Sequence, residues 1–233
     1  MSSVTLKQSR GKFIVLEGGD STGKNTQAKL LLKHLKLQNL TIEFLSFPQY
    51  DTPFGKLIAK YLRGEYGKLH EVSPEIPCLL YALDRYQVRE KLEAGLSSGT
   101  WFIADRYTQS NLGYQGAKFQ DKERLQFITW LEGMEQRLPQ PDLVIYLYLP
   151  IEIAQELMEG RKQKKYLKPG KNQDIHELDL AYQHQVVETY LELAANRDNW
   201  VVIDCVDKKE LKIKSIEKIH HDIVQAVSKK LGI

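Results

Sequence analysis

Cysteine is scarce: Cys78 and Cys205 are the only two in 233 residues, far apart and without metal-ligand spacing around them. That excludes a disulfide framework and a thiolate zinc site, and predicts free thiols without function in a reducing compartment. A surplus of either charge is missing as well, since 33 Lys and Arg face 30 Asp and Glu. A net charge of +3 with no basic-aromatic stripe gives no footing for nucleic acid, so none is expected as a partner. Long apolar runs are absent: the longest, "LVIYLYL" at 143–149, falls far short of the roughly 20 residues that cross a bilayer. No membrane partner is expected, and the location reads as cytoplasmic. The opening "MSSVTLKQSRG" has no apolar stretch of the kind that marks a secretory signal, and residues 1–11 read as a flexible tail. With no repeat, low-complexity block or Ser/Gly linker, one domain is expected over 1–233.

What is present is ordinary for a globular enzyme, 42% hydrophobic and 27% charged, and the chain is long enough to bury a substantial core. Five short runs rich in β-branched and aromatic residues recur, at 13–17, 41–47, 101–105, 143–149 and 200–204. Near-continuous apolar runs of this kind suit strands buried on both faces of a parallel sheet. Helical spacing fills the intervals, among them 27–37, 74–96, 122–137, 151–159 and 178–195. The alternation predicts an open α/β fold, a five-stranded parallel sheet with helices on both faces. One segment differs: "GRKQKKYLKPGKN" at 160–172 is dense in Lys and Arg, holds a Pro-Gly pair and reads as a mobile surface flap.

Between the first strand and the first helix stands "LEGGDSTGKNTQAKL", residues 16–30. Gly18, Gly19, Asp20, Ser21, Thr22, Gly23, Lys24, Asn25 and Thr26 form a phosphate-binding loop in the context that such a loop requires. Glycines let the backbone curl so that successive N–H groups face phosphate oxygens, Lys24 reaches the outer phosphates, and the helix N-terminus adds partial positive charge. Asn25 replaces the Ser or Thr hydroxyl that ordinarily meets Mg²⁺. Its amide oxygen is a hard neutral ligand, so the exchange reads as altered metal geometry.

Two further stretches carry candidates. In "YALDR", Tyr81 and Arg85 stand at i and i+4 on one helical face, where they could stack on a flat base and bond its edge, or serve as a core aromatic beside a surface arginine. "ADRYTQSNLGYQ" begins at the carboxyl end of the third strand, where open α/β sheets bind ligands. There Asp105 is placed to hold Mg²⁺ through water, Arg106 to straddle two phosphates, and Ser110, Asn111, Tyr114 and Gln115 to supply polar contacts; the Asp-Arg pair alone could equally be a structural ion pair.

Together with "FPQYDTPFGKLI" after the second strand and "DIHELD" after the flap, these motifs resemble the thymidylate kinases, from about Lys12 to the C-terminal helix. The resemblance implies a P-loop NTPase fold with a short lid at 160–177, Mg²⁺ as cofactor, and transfer of the γ-phosphoryl of ATP onto dTMP to give dTDP. It implies that Asp20 touches the sugar 3′-hydroxyl, Tyr81 stacks on thymine, Arg85 bonds O4, Asn111 reads N3 and Tyr114 packs under C2′. It implies further that Phe47 and Tyr50 flank the acceptor phosphate and that Arg106 bridges both phosphates. Tyr50 stands where several relatives have Arg, Ser21 is not basic, and Leu157 takes a position often Arg, which leaves Arg161, Lys164 and Lys165 as lid cations; Arg161 and Lys164 join Asp20, Lys24 and Arg106 as catalytic candidates. A homodimer is implied as well. His176, His220 and His221 read as structural or surface residues.

The acceptor phosphate is already anionic near neutrality, so the chemistry needs cations to hold two polyanions in line more than it needs a base. Alternatives remain: another deoxynucleotide or deoxynucleoside P-loop kinase, or an ATP-binding regulatory protein whose Asn25 has weakened turnover.

Overall fold

A computed structural model describes residues 10–159, 163–171, 173–208 and 210–233. Strands β1 (Phe13–Gly18), β2 (Ile42–Ser46), β3 (Trp101–Asp105), β4 (Leu143–Tyr148) and β5 (Trp200–Asp204) form one parallel sheet in the order β2-β3-β1-β4-β5. Five apolar runs thus became five strands, displaced by no more than a residue or two. Side-chain alternation divides the sheet between two cores. Phe13, Val15, Phe102, Ala104, Val144 and Tyr146 face one way, while Ile14, Leu16, Ile103, Leu143, Ile145 and Leu147 face the other. Helices α1 (Lys24–Lys36) and α9 (Ile216–Leu231) cover the second face; α5 (Thr108–Gly116), α6 (Asp121–Glu135) and α8 (Leu180–Ala195) cover the first. The fold is the expected open α/β sheet with both faces covered.

Because β1 is the middle strand, the loop after it and the loop after β3 emerge side by side. This neighbouring pair of strand ends, where the sheet order reverses, is where such folds bind ligands. The polar "TQSNLGYQG" forms α5, a helix buried nearly all round, in which Ser110 bonds the Glu17 carboxylate and Asn111 the Cys78 carbonyl. Gly113 permits its approach to α8, since a Cβ there would meet the Tyr190 ring at 2.3 Å.

Three local readings need correction. The expected helix at 74–96 is two, α3 (Glu75–Tyr86) and α4 (Arg89–Ser97). The Asp84 carbonyl, which would accept from Val88 N in a continuous helix, instead takes the side-chain amides of Gln49 at 3.1 Å and Gln87 at 3.3 Å. Val88 N turns to the Arg85 carbonyl at 3.2 Å, and the helix breaks. Helix α8 begins at Leu180, where the Asp179 carboxylate caps it by accepting from Tyr182 N at 2.9 Å. Residues 10 and 11, expected in a flexible tail, are tied down: Arg10 pairs with Asp142 at 3.0 Å and Gly11 N donates to the Leu96 carbonyl at 2.8 Å. Residues 1–9 lie outside the described residues. Helix α2 (Pro53–Leu62), capped by Thr52, and the hairpin β6 (Val206–Asp207) with β7 (Lys212–Ile213) complete the elements used below, with α7 (Ile151–Glu159) following β4.

Candidate active site

The loop 18–23 closes into α1 through Gly23, whose φ of 80° suits glycine and turns the first helical amides toward the loop. Lys24 Nζ donates to the Gly19 carbonyl at 2.6 Å, folded back across its own loop. Burial, with Arg106 close by, pushes Lys24 down to about 8, against the pull of Asp20 and Asp105. A phosphate that replaced the Gly19 carbonyl as partner would restore the full charge.

Arg106 follows β3 with φ at 66°, a left-handed conformation that costs a non-glycine residue about 1 kcal/mol or more. The turn aims its guanidinium at the loop: Nη2 donates to Asp20 Oδ1 at 3.0 Å and Tyr114 Oη at 3.3 Å, and Nη1 to Ser110 Oγ at 3.4 Å. Beneath it Glu17, wholly buried on β1, accepts from Tyr107 N and from the hydroxyls of Ser110 and Tyr190 at 2.8–2.9 Å. Burial raises the Glu17 carboxyl, and the Arg106 charge with these donors opposes the rise. Glu17 therefore fixes the α5 start from below, a role that a strand residue in an apolar run did not announce.

Lys164 reaches in from the basic segment and meets Asp20 at 3.0 Å, Asp174 at 2.9 Å and Glu177 at 3.1 Å. Burial alone would raise Asp20, but Lys164, Arg106 and Lys24 hold its carboxyl well below the usual range. Lys164 is correspondingly raised by its three acids against the effect of burial. Tyr166 stacks on Tyr50 at 4.4 Å between ring centres and donates to Asp174 at 2.5 Å.

Two cavities meet here. One, open and of about 410 Å³, is lined by Asp20, Ser21, Gly23, Lys24, Asn25, Thr26, Phe47, Asp105 and Arg106. The other is lined by Tyr50, Tyr81, Ser110, Asn111, Tyr114 and His176, and with Lys164 and Tyr166 in place its free space is about 70 Å³, room for little more than waters. Asp20, Tyr50, Arg106 and Lys164 line both. Asn25 and Asp105 come together, Nδ2 donating to Oδ2 at 3.4 Å. An amide oxygen and a carboxylate are hard donors that suit Mg²⁺.

The sequence candidates thus converge, with exceptions. Arg85 does not line the second cavity: it is 2% exposed and its Nε donates to Glu135 Oε1 at 2.7 Å. Gln115 is buried within α5 and lines neither cavity. Arg161 lies outside the described residues. Lys165 and Leu157 are exposed, and Leu157 supplies no charge.

His176 is buried, as a structural histidine would be, and it also borders the second cavity. It stacks on Tyr114 at 5.4 Å, shares a hydrogen bond with Tyr61 Oη at 3.1 Å and lines the acceptor-side cavity. Asp174 and Glu177 belong to "DIHELD", the motif that could have pointed to them, and Tyr166 stands in the basic segment with no signal of its own. Burial pushes His176 down to about 4 despite Asp174 beside it. An unfolded histidine takes its proton near 6.5, so as pH falls the unfolded chain is protonated first. Stability from the neutral ring is complete above about pH 6.5 and is lost toward pH 4, about 2 kcal/mol of it by pH 5. His176→Gln should remove that component. Urea unfolding at pH 5 and pH 7 checks this, and an unchanged wild-type-to-variant difference between the two would refute it.

A strand, phosphate loop and helix joined to an acid-arginine pair at the neighbouring strand end define a P-loop kinase of small phosphorylated acceptors. A family profile described as thymidylate kinase matches residues 16–216. Thymidylate kinase from Plasmodium falciparum is 33% identical over 97% of this chain and 94% of its own length, and that from Homo sapiens 30% identical over 92% and 88%. A solved thymidylate kinase from Candida albicans matches with a TM-score of 0.71 at 25% identity, covering 94% of this chain and 92% of that one. The chain belongs to the thymidylate kinase family and is a nucleoside monophosphate kinase. Among the described residues no helix is long and apolar enough to cross a membrane.

Proposed function

We propose that the chain phosphorylates dTMP to dTDP with ATP, the triphosphate lying along the 18–26 loop and the acceptor in the cavity walled by Tyr81, Asn111 and Tyr114. The observation that carries this reading is the shared wall. Asp20, Arg106 and Lys164 face both cavities, so a phosphoryl group passing between them crosses one acid and two fixed cations. Arg106 and Lys164 neutralise the approach of two polyanions, and Lys24 holds the outer phosphates. Asp20, held ionised by both cations, is an acceptor for a sugar hydroxyl. Asn25 and Asp105 are the residues for Mg²⁺, which when bound would neutralise charge on the triphosphate.

The 164–166 segment acts as part of a lid, since a nucleotide cannot enter the acceptor cavity until Lys164 and Tyr166 move aside. Its return excludes water from the γ-phosphate. With Tyr50 neutral, the acceptor phosphate draws its positive charge from Arg106 and Lys164. ADP release measured with dTMP, dUMP, dCMP, dGMP and thymidine tests the assignment: dTMP should be preferred, and a clear win for thymidine or dGMP overturns it.

A homodimer completes the reading. Ile76, Leu79 and Leu83 stand at i, i+3 and i+7 along α3, each more than 40% exposed, an apolar stripe on the helix whose other residues include Tyr81. Leu83→Glu is expected to convert dimer to monomer in sedimentation velocity. It should also raise KM for the acceptor, because α3 forms that cavity's wall. A wild-type sedimentation coefficient would rule out this face.

A further inference from the structure

A third cavity, a wide groove of about 1000 Å³, runs outside the acceptor cavity and has no part in the chemistry described so far. One wall is α2, where the exposed Lys56 and Lys60 stand at i and i+4 on one face; the other is the basic segment, with Lys165 and Lys168. Arg63, just after α2, is already committed: Nε donates to Glu65 Oε1 at 2.7 Å and Nη1 to the Tyr166 carbonyl at 3.0 Å, while Lys168 reaches the same Glu65 oxygen at 3.6 Å. These contacts moor the basic segment to the end of α2. They also occupy Glu65, and leave Asp51 as the other acid of the wall against Lys56, Lys60 and Lys165, which have no ion pair among the described residues. The groove is thus a strip of positive charge. Its partition from the acceptor cavity is the stack of Tyr50 on Tyr166, since Pro48, Tyr50 and Tyr166 line both spaces. Tyr166 rides on the basic segment and Tyr50 does not, so a shift of the segment opens one space into the other.

We propose that this groove is a landing site for the acceptor, where Lys56, Lys60 and Lys165 hold the 5′-phosphate of a nucleoside monophosphate before the tyrosine pair parts and admits it to the closed cavity. This rests on the assignment of the acceptor to the cavity behind that pair. The group recognised is a compact dianion, because a phosphate monoester loses its second proton near pH 6. Lysines suit a brief hold, since an ammonium on a flexible stem offers a point of charge without the rigid fork of an arginine. A concave wall of one sign concentrates ligands of the other and speeds their encounter. The inner cavity has need of this: with Lys164 and Tyr166 in place its free space is about 70 Å³, and a nucleotide must wait outside until the segment moves. ATP has no such wait, because the cavity along the 18–26 loop stands open at about 410 Å³. The groove therefore serves one substrate and not the other.

The test is steady-state kinetics of Lys56→Glu/Lys60→Glu and Lys56→Gln/Lys60→Gln across a range of salt concentrations, beside thermal melting of each. A matched control, Lys122→Glu/Lys229→Glu, changes two exposed lysines outside the groove by the same charge as the glutamate pair. The glutamate pair should lower kcat/KM for dTMP about tenfold at low salt and less than about threefold at about 0.5 M salt, with kcat and KM for ATP each within about threefold of wild type. The glutamine pair removes charge without reversing it; it should fall between, and provides the readout should the glutamate pair not fold. The control should stay within about twofold of wild type. A control that loses as much as the groove variant would assign the effect to net charge, and a loss undiminished in high salt would assign it to altered structure; either overturns the landing site. If wild type uses dTMP and the groove variants match it at every salt concentration, the landing site falls and the acceptor cavity stands. A preference for thymidine, which carries no phosphate, would remove both together.

Discussion

Arg106→Ala is expected to lower kcat about 10³-fold while leaving ATP affinity within a few-fold of wild type. The reason is location: Nη2 lies 3.0 Å from Asp20 Oδ1 and 3.3 Å from Tyr114 Oη, and the residue faces both cavities. A group between donor and acceptor gains most when charge is spread between them, so its removal strikes the transition state harder than either bound substrate. ATP keeps the loop amides and Lys24. Arg106→Lys should restore little, because the fork that reaches Asp20, Tyr114 and Ser110 together is planar and a lysine offers a single point of charge. Turnover near wild type for Arg106→Ala, with nucleotide affinity measured separately by titration calorimetry, would remove Arg106 from the reaction centre.

The sheet was legible because each buried parallel strand must be apolar on both faces, and five such runs stood clear of their neighbours. The phosphate loop was legible because its glycines and Lys24 are required by geometry in a fixed order. What escaped was set by contacts distant in sequence. Nothing within "TQSNLGYQG" announces a buried helix, since Ser110 and Asn111 find their partners in the Glu17 carboxylate and the Cys78 carbonyl, both distant in sequence. Glu17 itself reads as an ordinary strand end. The break between α3 and α4 comes from Gln49, more than thirty residues upstream, competing for a helix carbonyl. Arg85 was visible as a helical partner of Tyr81, but its grip on Glu135 could not be seen, because ion pairing across fifty residues leaves no periodic trace. The acid cluster around Lys164 was half visible: "DIHELD" stood out, while its meeting with Asp20 depends on how the basic segment folds back over the loop.

That cluster yields the second large effect. Lys164→Met should lower turnover about 10²-fold or more by removing a cation from the shared wall, and it should also invert a pH dependence. Asp20, Asp174 and Glu177 offer oxygens within 4.8 Å of one another, and Lys164, 18% exposed, meets all three. With lysine present, Asp20 and Asp174 are held below their ordinary values despite burial, so their contribution to stability is complete above about pH 4 and is lost in more acid solution. Without it, burial and repulsion from Asp20 raise Asp174, while Asp20 keeps the charges of Arg106 and Lys24 beside it. A carboxyl raised by folding contributes most below its unfolded value and progressively less as pH climbs, so the variant's deficit should widen from pH 5 to pH 8. At pH 7 a deficit of about 3 kcal/mol is expected, the scale found when one member of a buried ion network is removed. Denaturant unfolding of both proteins at pH 5, 6, 7 and 8 checks the trend, and measurements at pH 7 and 8, above the range in which His176 titrates, read it apart from that ring. A deficit that stayed constant with pH would mean that the three acids do not share one cation, and the lid would then need another anchor.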